Sequence, residues 1–183
     1  MTVIGEDLSA AALAPDGRDA AIELNNEAIL LERQGDFAGA ESKHLQAIRI
    51  KEATRGVDSI TTAVSYNGLG ELYATIGNLD NAEEYLIKAV SVRERFGLKS
   101  DLAVTRDNLG RVFEMRGDLN AAEEIRRRGA PSNVACGNFQ CPKISNAISI
   151  LSKCTTCKAI FYCSRPCQVA DWKRHKKYCK TRS

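Results

Sequence analysis

From residue 17 to residue 129, small and bulky apolar positions come round in register three times. Gly35-Asp36-Phe37, Gly77-Asn78-Leu79 and Gly117-Asp118-Leu119 align at intervals of 42 and then 40 residues. In the same register fall Ala28, Gly70 and Gly110, then Leu31, Tyr73 and Phe113, then Ala40, Ala82 and Ala122. A period of that length marks a solenoid of stacked units. Each unit reads as two helices. The small residue of the first helix and the alanine of the second allow a close approach, and the leucine or aromatic fills the space between them. The glycine permits the tight turn that joins them. Gly56 and Gly97 end helices, and Ser59 and Ser100 open the following ones as N-caps. The second helix of the third unit, from Leu119, reaches only Arg126-Arg127-Arg128 before Gly129-Ala130-Pro131-Ser132, where proline stops it. His44 aligns with Leu86, where the second helix packs on the first, and is read as a packing residue.

At 183 residues with 44% apolar content, the chain has room for one modest domain and a small appendage. The expected layout is a flexible segment 1–16, repeats 17–129, a linker 130–135, a cysteine-rich module 136–179 and a tail 180–183. No apolar run approaches the roughly 18 residues that cross a bilayer, so no membrane association is expected. Met1 to Pro15 carries Glu6 and Asp7 with no basic start or long apolar centre, unlike a signal peptide. Charge is divided unevenly. Residues 1–135 hold 16 Lys and Arg against 22 Asp and Glu, and residues 136–183 hold 10 against one. The basic module could attract nucleic acid or acidic proteins. Lys173, Arg174, Lys176 and Lys177 are read instead as solvating a ligand-bearing helix, so nucleic acid is not the favoured partner.

All seven cysteines and one of the two histidines lie in the last module: Cys136, Cys141, Cys154, Cys157, Cys163, Cys167, His175 and Cys179. An odd cysteine count fits disulfides poorly, whereas seven thiolates and one imidazole make two complete tetrahedral zinc sites. Cys154-Thr155-Thr156-Cys157 is a knuckle that converges on one ion. Cys163 and Cys167, like His175 and Cys179, stand four apart and share a face where the backbone is helical. With the thiolates committed to metal, a reducing cytoplasm or nucleus is the expected compartment. A RING finger also holds two zincs, but its histidine sits in the middle of the ligand series and not seventh of eight.

The run Tyr162-Cys163-Ser164-Arg165-Pro166-Cys167-Gln168-Val169-Ala170-Asp171-Trp172-Lys173-Arg174-His175-Lys176-Lys177-Tyr178-Cys179 resembles the MYND zinc finger, whose hallmark is YCSxxCQxxDWxxHxxxC. The resemblance implies interleaved pairs: Cys136, Cys141, Cys163 and Cys167 on one zinc, and Cys154, Cys157, His175 and Cys179 on the other. Two features depart from the usual pattern. Four residues instead of two separate Cys136 from Cys141, and the gap from Cys141 to Cys154 is long. The repeats in turn resemble the tetratricopeptide repeat, and Asn67-Gly68-Leu69-Gly70-Glu71-Leu72-Tyr73 with the long period looks like the kinesin-light-chain type. The expected fold is therefore mostly α: a helical-hairpin solenoid followed by a small two-zinc finger.

These resemblances imply protein partners. Asn25, Asn67 and Asp107 take equivalent places on the first helices, with Asn26 and Asn108 beside them, and such a polar ladder could hydrogen-bond an extended peptide in a concave groove. Ile29, Gly68 and Val104 stand where repeats that grip chaperone tails carry a basic and amide clamp, so that mode is not expected. In the finger, Gln168 and Trp172 lie four apart on a helix, and some MYND fingers bind PxLxP-type, proline-containing segments through these motif positions. Four protein ligands per zinc leave no open coordination position, which makes both ions structural. No phosphate-cradling glycine loop occurs, and where MYND accompanies a SET methyltransferase domain this sequence has repeats. The reading is a zinc-binding adaptor and not an enzyme, with a nucleic-acid-associated regulator as the alternative.

Overall fold

The computed structural model describes residues 17–181, and the segment 1–16 and the last two residues lie outside it. Six helices form three antiparallel hairpins: α1 (Gly17–Gln34) with α2 (Phe37–Arg55), α3 (Ile60–Ile76) with α4 (Leu79–Phe96), and α5 (Lys99–Arg116) with the short α6 (Leu119–Arg127). The turn inside each hairpin repeats one chemical device. Gly35, Gly77 and Gly117 take φ near +82°, 81° and 83°, a left-handed conformation in which a side chain would be strained. The next residue caps the second helix: Asp36 accepts from the Gly39 amide and Asp118 from the Ala121 amide, each at 2.9 Å, and Asn78 does the same toward Asn81.

Ser59 caps α3 by accepting from the Thr62 amide at 3.1 Å. Ser100 does not cap α5. That helix begins two residues earlier than the expected cap allows, at Lys99, with Leu98 at its N-cap and no side-chain cap bond. Asp101 in its first turn instead sets a negative charge at the positive end of the helix dipole. Among the described residues, no helix is long and apolar enough to cross a membrane.

The main core runs along the hairpins and includes Ala28, Leu69, Leu72, Tyr73, Ala82, Leu86, Leu109 and Ile125. After α6 the chain turns into the cysteine-rich module. A two-stranded antiparallel ribbon, β1 (Ser152–Lys153) and β2 (Phe161–Tyr162), pairs Ser152 with Tyr162 and Lys153 with Phe161, and α7 (Arg165–His175) follows. The expected linker 130–135 is pinned to this module. Val134 and Asn146 exchange backbone hydrogen bonds at 3.0 and 2.9 Å, and the Pro131 carbonyl accepts from Ile148 at 2.7 Å. A second core joins repeat to module, with Leu119 and Ala122 of α6 packing among Cys136, Cys154, Cys157, Ala159, Ile160 and Tyr162.

Candidate metal centres and the surface around them

The eight soft ligands gather into two groups of four, Cys136, Cys141, Cys163 and Cys167 in one and Cys154, Cys157, His175 and Cys179 in the other, with ligand atoms in each group within 4.8 Å of one another. Each group draws one pair from the loops before β2 and one from the α7 region. Ser164 caps α7 by accepting from the Cys167 amide at 3.4 Å, and Cys179 continues past the helix end, its amide donating to the His175 carbonyl at 3.0 Å. Sulfurs about 2.3 Å from a central zinc stand about 3.8 Å apart. Here Cys141–Cys163, Cys163–Cys167 and Cys154–Cys179 are each 3.6 Å apart, and Cys157 Sγ is 3.5 Å from His175 Nε2. The residues therefore fit the ion. The unusual spacing of Cys136 and Cys141 is absorbed by a turn, in which the Cys141 amide donates to the Asn138 carbonyl at 2.9 Å.

At Cys167 and Cys154 local donors favour the thiolate form that a metal requires. The Ser164 hydroxyl, with Asn138, holds the Cys167 thiol down at about 7. Burial would raise the Cys154 thiol, yet the Cys157 amide and the His175 ring bring it to about 7. Burial pushes the Cys136 thiol up, so its ionisation has to be driven by the metal itself.

A network of buried charges connects the second group to the third repeat. Glu114 on α5 is fully buried, and its Oε1 accepts from His175 Nδ1. Its Oε2 accepts from Arg126 Nη2 at 3.1 Å and from Arg174 Nη1 at 3.3 Å. Arg174 grips Asp171 with Nε at 2.7 Å and Nη2 at 2.8 Å, and Asp171 also accepts from the Tyr162 hydroxyl at 2.8 Å. Arg126 donates to Asp107 at 2.8 Å and to the Ala159 carbonyl at 2.9 Å. Burial alone would raise both carboxylates. The His175 bond and the charges of Arg126 and Arg174 outweigh it at Glu114, and Arg111 and Arg126 do so at Asp107, leaving each at about 2.

This network corrects two expectations. Asp107 and Asn108 do not offer a free ladder to a peptide, because both are buried with internal partners. Asp107 is shared by Arg126 and Arg111, and Asn108 donates to Asn67 at 3.2 Å and to Glu71. Asn25 likewise donates to Ser65 at 2.9 Å, and Asn67 to Glu71 at 2.6 Å. These amides knit neighbouring first helices side by side. Arg174, expected to solvate α7, is instead turned inward, whereas Lys173, Lys176 and Lys177 are exposed. His44 is buried as a packing residue should be, and also bonds Glu32 at 2.9 Å and Asn25 at 3.3 Å.

Glu114 and Arg126 escaped the reading from sequence, although one signal could have found the second. Arg126 stands at the repeat position of His44 and Leu86, the plug between paired helices, so its stem had to be buried. No comparable signal marks Glu114, which aligns with Ala74 and Glu32.

Among the described residues, two open surfaces involve the finger. A cavity of about 490 Å³ is walled by Glu71, Arg111 and Met115 of the repeats and by Phe139, Arg174 and Tyr178 of the finger region. On α7, Trp172 is 46% and Val169 64% exposed beside the half-buried Gln168, and the indole meets the His175 ring edge-on at 5.9 Å.

The tetratricopeptide-repeat family model matches residues 18–95 and again 61–129, and the MYND finger model matches residues 135–179. The chain is 45% identical over 40 residues to SET domain-containing protein 14 of Caenorhabditis elegans, which covers 22% of this chain and 9% of that protein. It is 37% identical over 46 residues to the MYND-type zinc finger protein samB of Emericella nidulans, covering 25% of this chain and 8% of that one. This chain thus matches less than a tenth of the length of these curated relatives. Among solved structures, BtubC (BKLC) from P. vanneervenii is similar with a TM-score of 0.59 at 26% identity, over 66% of this chain and 50% of that one. A MYND finger binds zinc, and the thiolate and imidazole donors gathered here are those zinc prefers.

Proposed function

Since the chain belongs to the tetratricopeptide-repeat family and carries a MYND finger after its repeats, we propose that it is an adaptor whose concave groove and finger each bind a protein segment. The observation that carries this reading is the pair of open surfaces, a groove cavity closed at one end by the finger and an exposed Val169–Trp172 platform on α7. An indole gives a rigid apolar platform and the Gln168 amide can donate and accept, a combination suited to an extended segment of PxLxP type. In the groove, Asn25 and Asn67 stay on the half-exposed wall, while Asp107 and Asn108 shape it from behind. Two zinc ions are held, one per tetrad, and four protein ligands each support a structural and non-catalytic role. Such thiolate sites suit the reducing cytoplasm or nucleus.

The test is a titration of a fluorescent PxLxP peptide into wild type and Gln168→Ala. The variant should keep its zinc content and melting temperature and bind several-fold more weakly, as expected for loss of a hydrogen bond of about 1 kcal/mol. Equal binding by the two proteins, or none by wild type, would end the finger part of the proposal. Exposed Lys173, Lys176 and Lys177 favour a second reading, contact with nucleic acid. DNA retention abolished by moderate salt would report charge alone, whereas a sequence-selective footprint would replace the adaptor reading.

A further inference from the structure

We propose that the repeat array supplies part of the finger's second metal centre, with Glu114 of α5 as the positioning residue for His175. This inference rests on the reading of Cys154, Cys157, His175 and Cys179 as a zinc site. His175 Nε2 faces Cys157 Sγ at 3.5 Å, so the ring's other nitrogen, Nδ1, must carry the proton when Nε2 offers its lone pair to an ion. That proton is received by Glu114 Oε1, from a residue 61 positions earlier and in another domain. Both side chains are fully buried, so water cannot replace the partner.

The carboxylate is itself immobilised. Arg126 and Arg174 hold its second oxygen, Asp107 and the Ala159 carbonyl hold Arg126, and Asp171 holds Arg174 through two bonds. A histidine fixed in tautomer and orientation by a rigid carboxylate binds metal more tightly than one left to rotate. Zinc retention at this centre is thereby tied to docking of the finger on the third repeat. The first tetrad contains no histidine and lacks this support. The array thus stabilises one metal of the finger selectively, and a ligand that loosens the α5–finger contact would loosen that metal with it.

The experiment measures zinc release from the full chain into excess chromophoric chelator for wild type, Glu114→Ala and Glu114→Gln, with helical circular dichroism recorded in parallel. Glu114→Ala should release one equivalent about 10- to 100-fold faster while the other leaves at the wild-type rate. Glu114→Gln retains an oxygen that can accept the Nδ1 proton, and should recover part of the difference. Two equivalents leaving Glu114→Ala at wild-type rates would overturn the proposal and leave the zinc sites standing. Equal acceleration of both equivalents would overturn it as well, since that reports general loosening. If Glu114→Ala does not fold, Glu114→Gln decides: faster release of one equivalent with the helix signal intact supports the proposal, and wild-type kinetics refutes it. Wild type carrying no zinc would remove the site reading and the proposal together.

Discussion

The position shared by His44, Leu86 and Arg126 shows how one structural slot takes three chemistries. All three side chains are buried between the helices of a hairpin: Leu86 lies against Gly70 and Arg126 against Gly110, and His44 bonds Asn25 and Glu32, to either side of the aligned Ala28. In the third repeat the plug is a guanidinium, which gives up hydration and recovers it through Asp107, Glu114 and the Ala159 carbonyl. Breaking a buried pair from one side leaves uncompensated charge, which costs about 3–5 kcal/mol. Arg126→Leu, which copies the plug of the second repeat, should therefore lower stability by roughly that amount in urea denaturation of the zinc-loaded protein. A loss below about 1 kcal/mol would show that Arg111 and Arg174 alone satisfy the two carboxylates.

Helix pairs in this array are held at a separation that depends on missing atoms. A β-carbon added at Gly70 would lie 2.6 Å from Leu86 Cγ and 3.3 Å from the Ala82 carbonyl oxygen. Neither neighbour has room to retreat, because Leu86 and Ala82 are both fully buried in the core. Alanine is a better helix former than glycine by about 1 kcal/mol. Overpacking a close core contact costs about 1–3 kcal/mol, so α3 and α4 have to separate and Gly70→Ala should be destabilising on balance. Chemical denaturation tests the sign directly, and a more stable variant would show that the hairpin can open at little cost. The caps work at the same scale: a left-handed glycine followed by an Asp or Asn closes every hairpin, and hydrophobic spacing therefore never has to specify the turn.

For the whole molecule, repeats and finger behave as joined bodies and not as beads on a string. Some forty-odd residues of finger bury too little apolar surface to fold without metal. Its core, however, is continuous with Leu119 and Ala122 of α6, and its charge network ends on α5. Chelation should consequently unfold the eleven-residue α7 and also fray the nine-residue α6, while α1 to α4 keep their helix. Helical circular dichroism should fall by a minor fraction, and the fluorescence of Trp172, edge-on to His175, should change strongly. Hydrogen exchange would locate the loss; protection disappearing from α1 and α2 as well would show a single cooperative unit.

The sequence by itself determined what is written in short-range pattern. The repeat period, the glycine–Asx turns, the helix pairs and the identity of the metal donors are all set by spacing and side-chain type within a few tens of residues, where geometry is governed by the chain's own bonds. The ligand grouping was legible only through likeness to a known motif, since spacing admits other pairings. Tertiary structure alone decided which charges are buried. Asp107 and Arg174 look like surface groups along the chain and Glu114 like an ordinary member of a polar helix, while the plug position of Arg126 marks its stem for burial but says nothing of the partners of its charge. These charges turn inward because α5, α6 and α7 meet, and the free energy of a buried charge depends on partners such as His175, 61 residues from Glu114, that no local window contains.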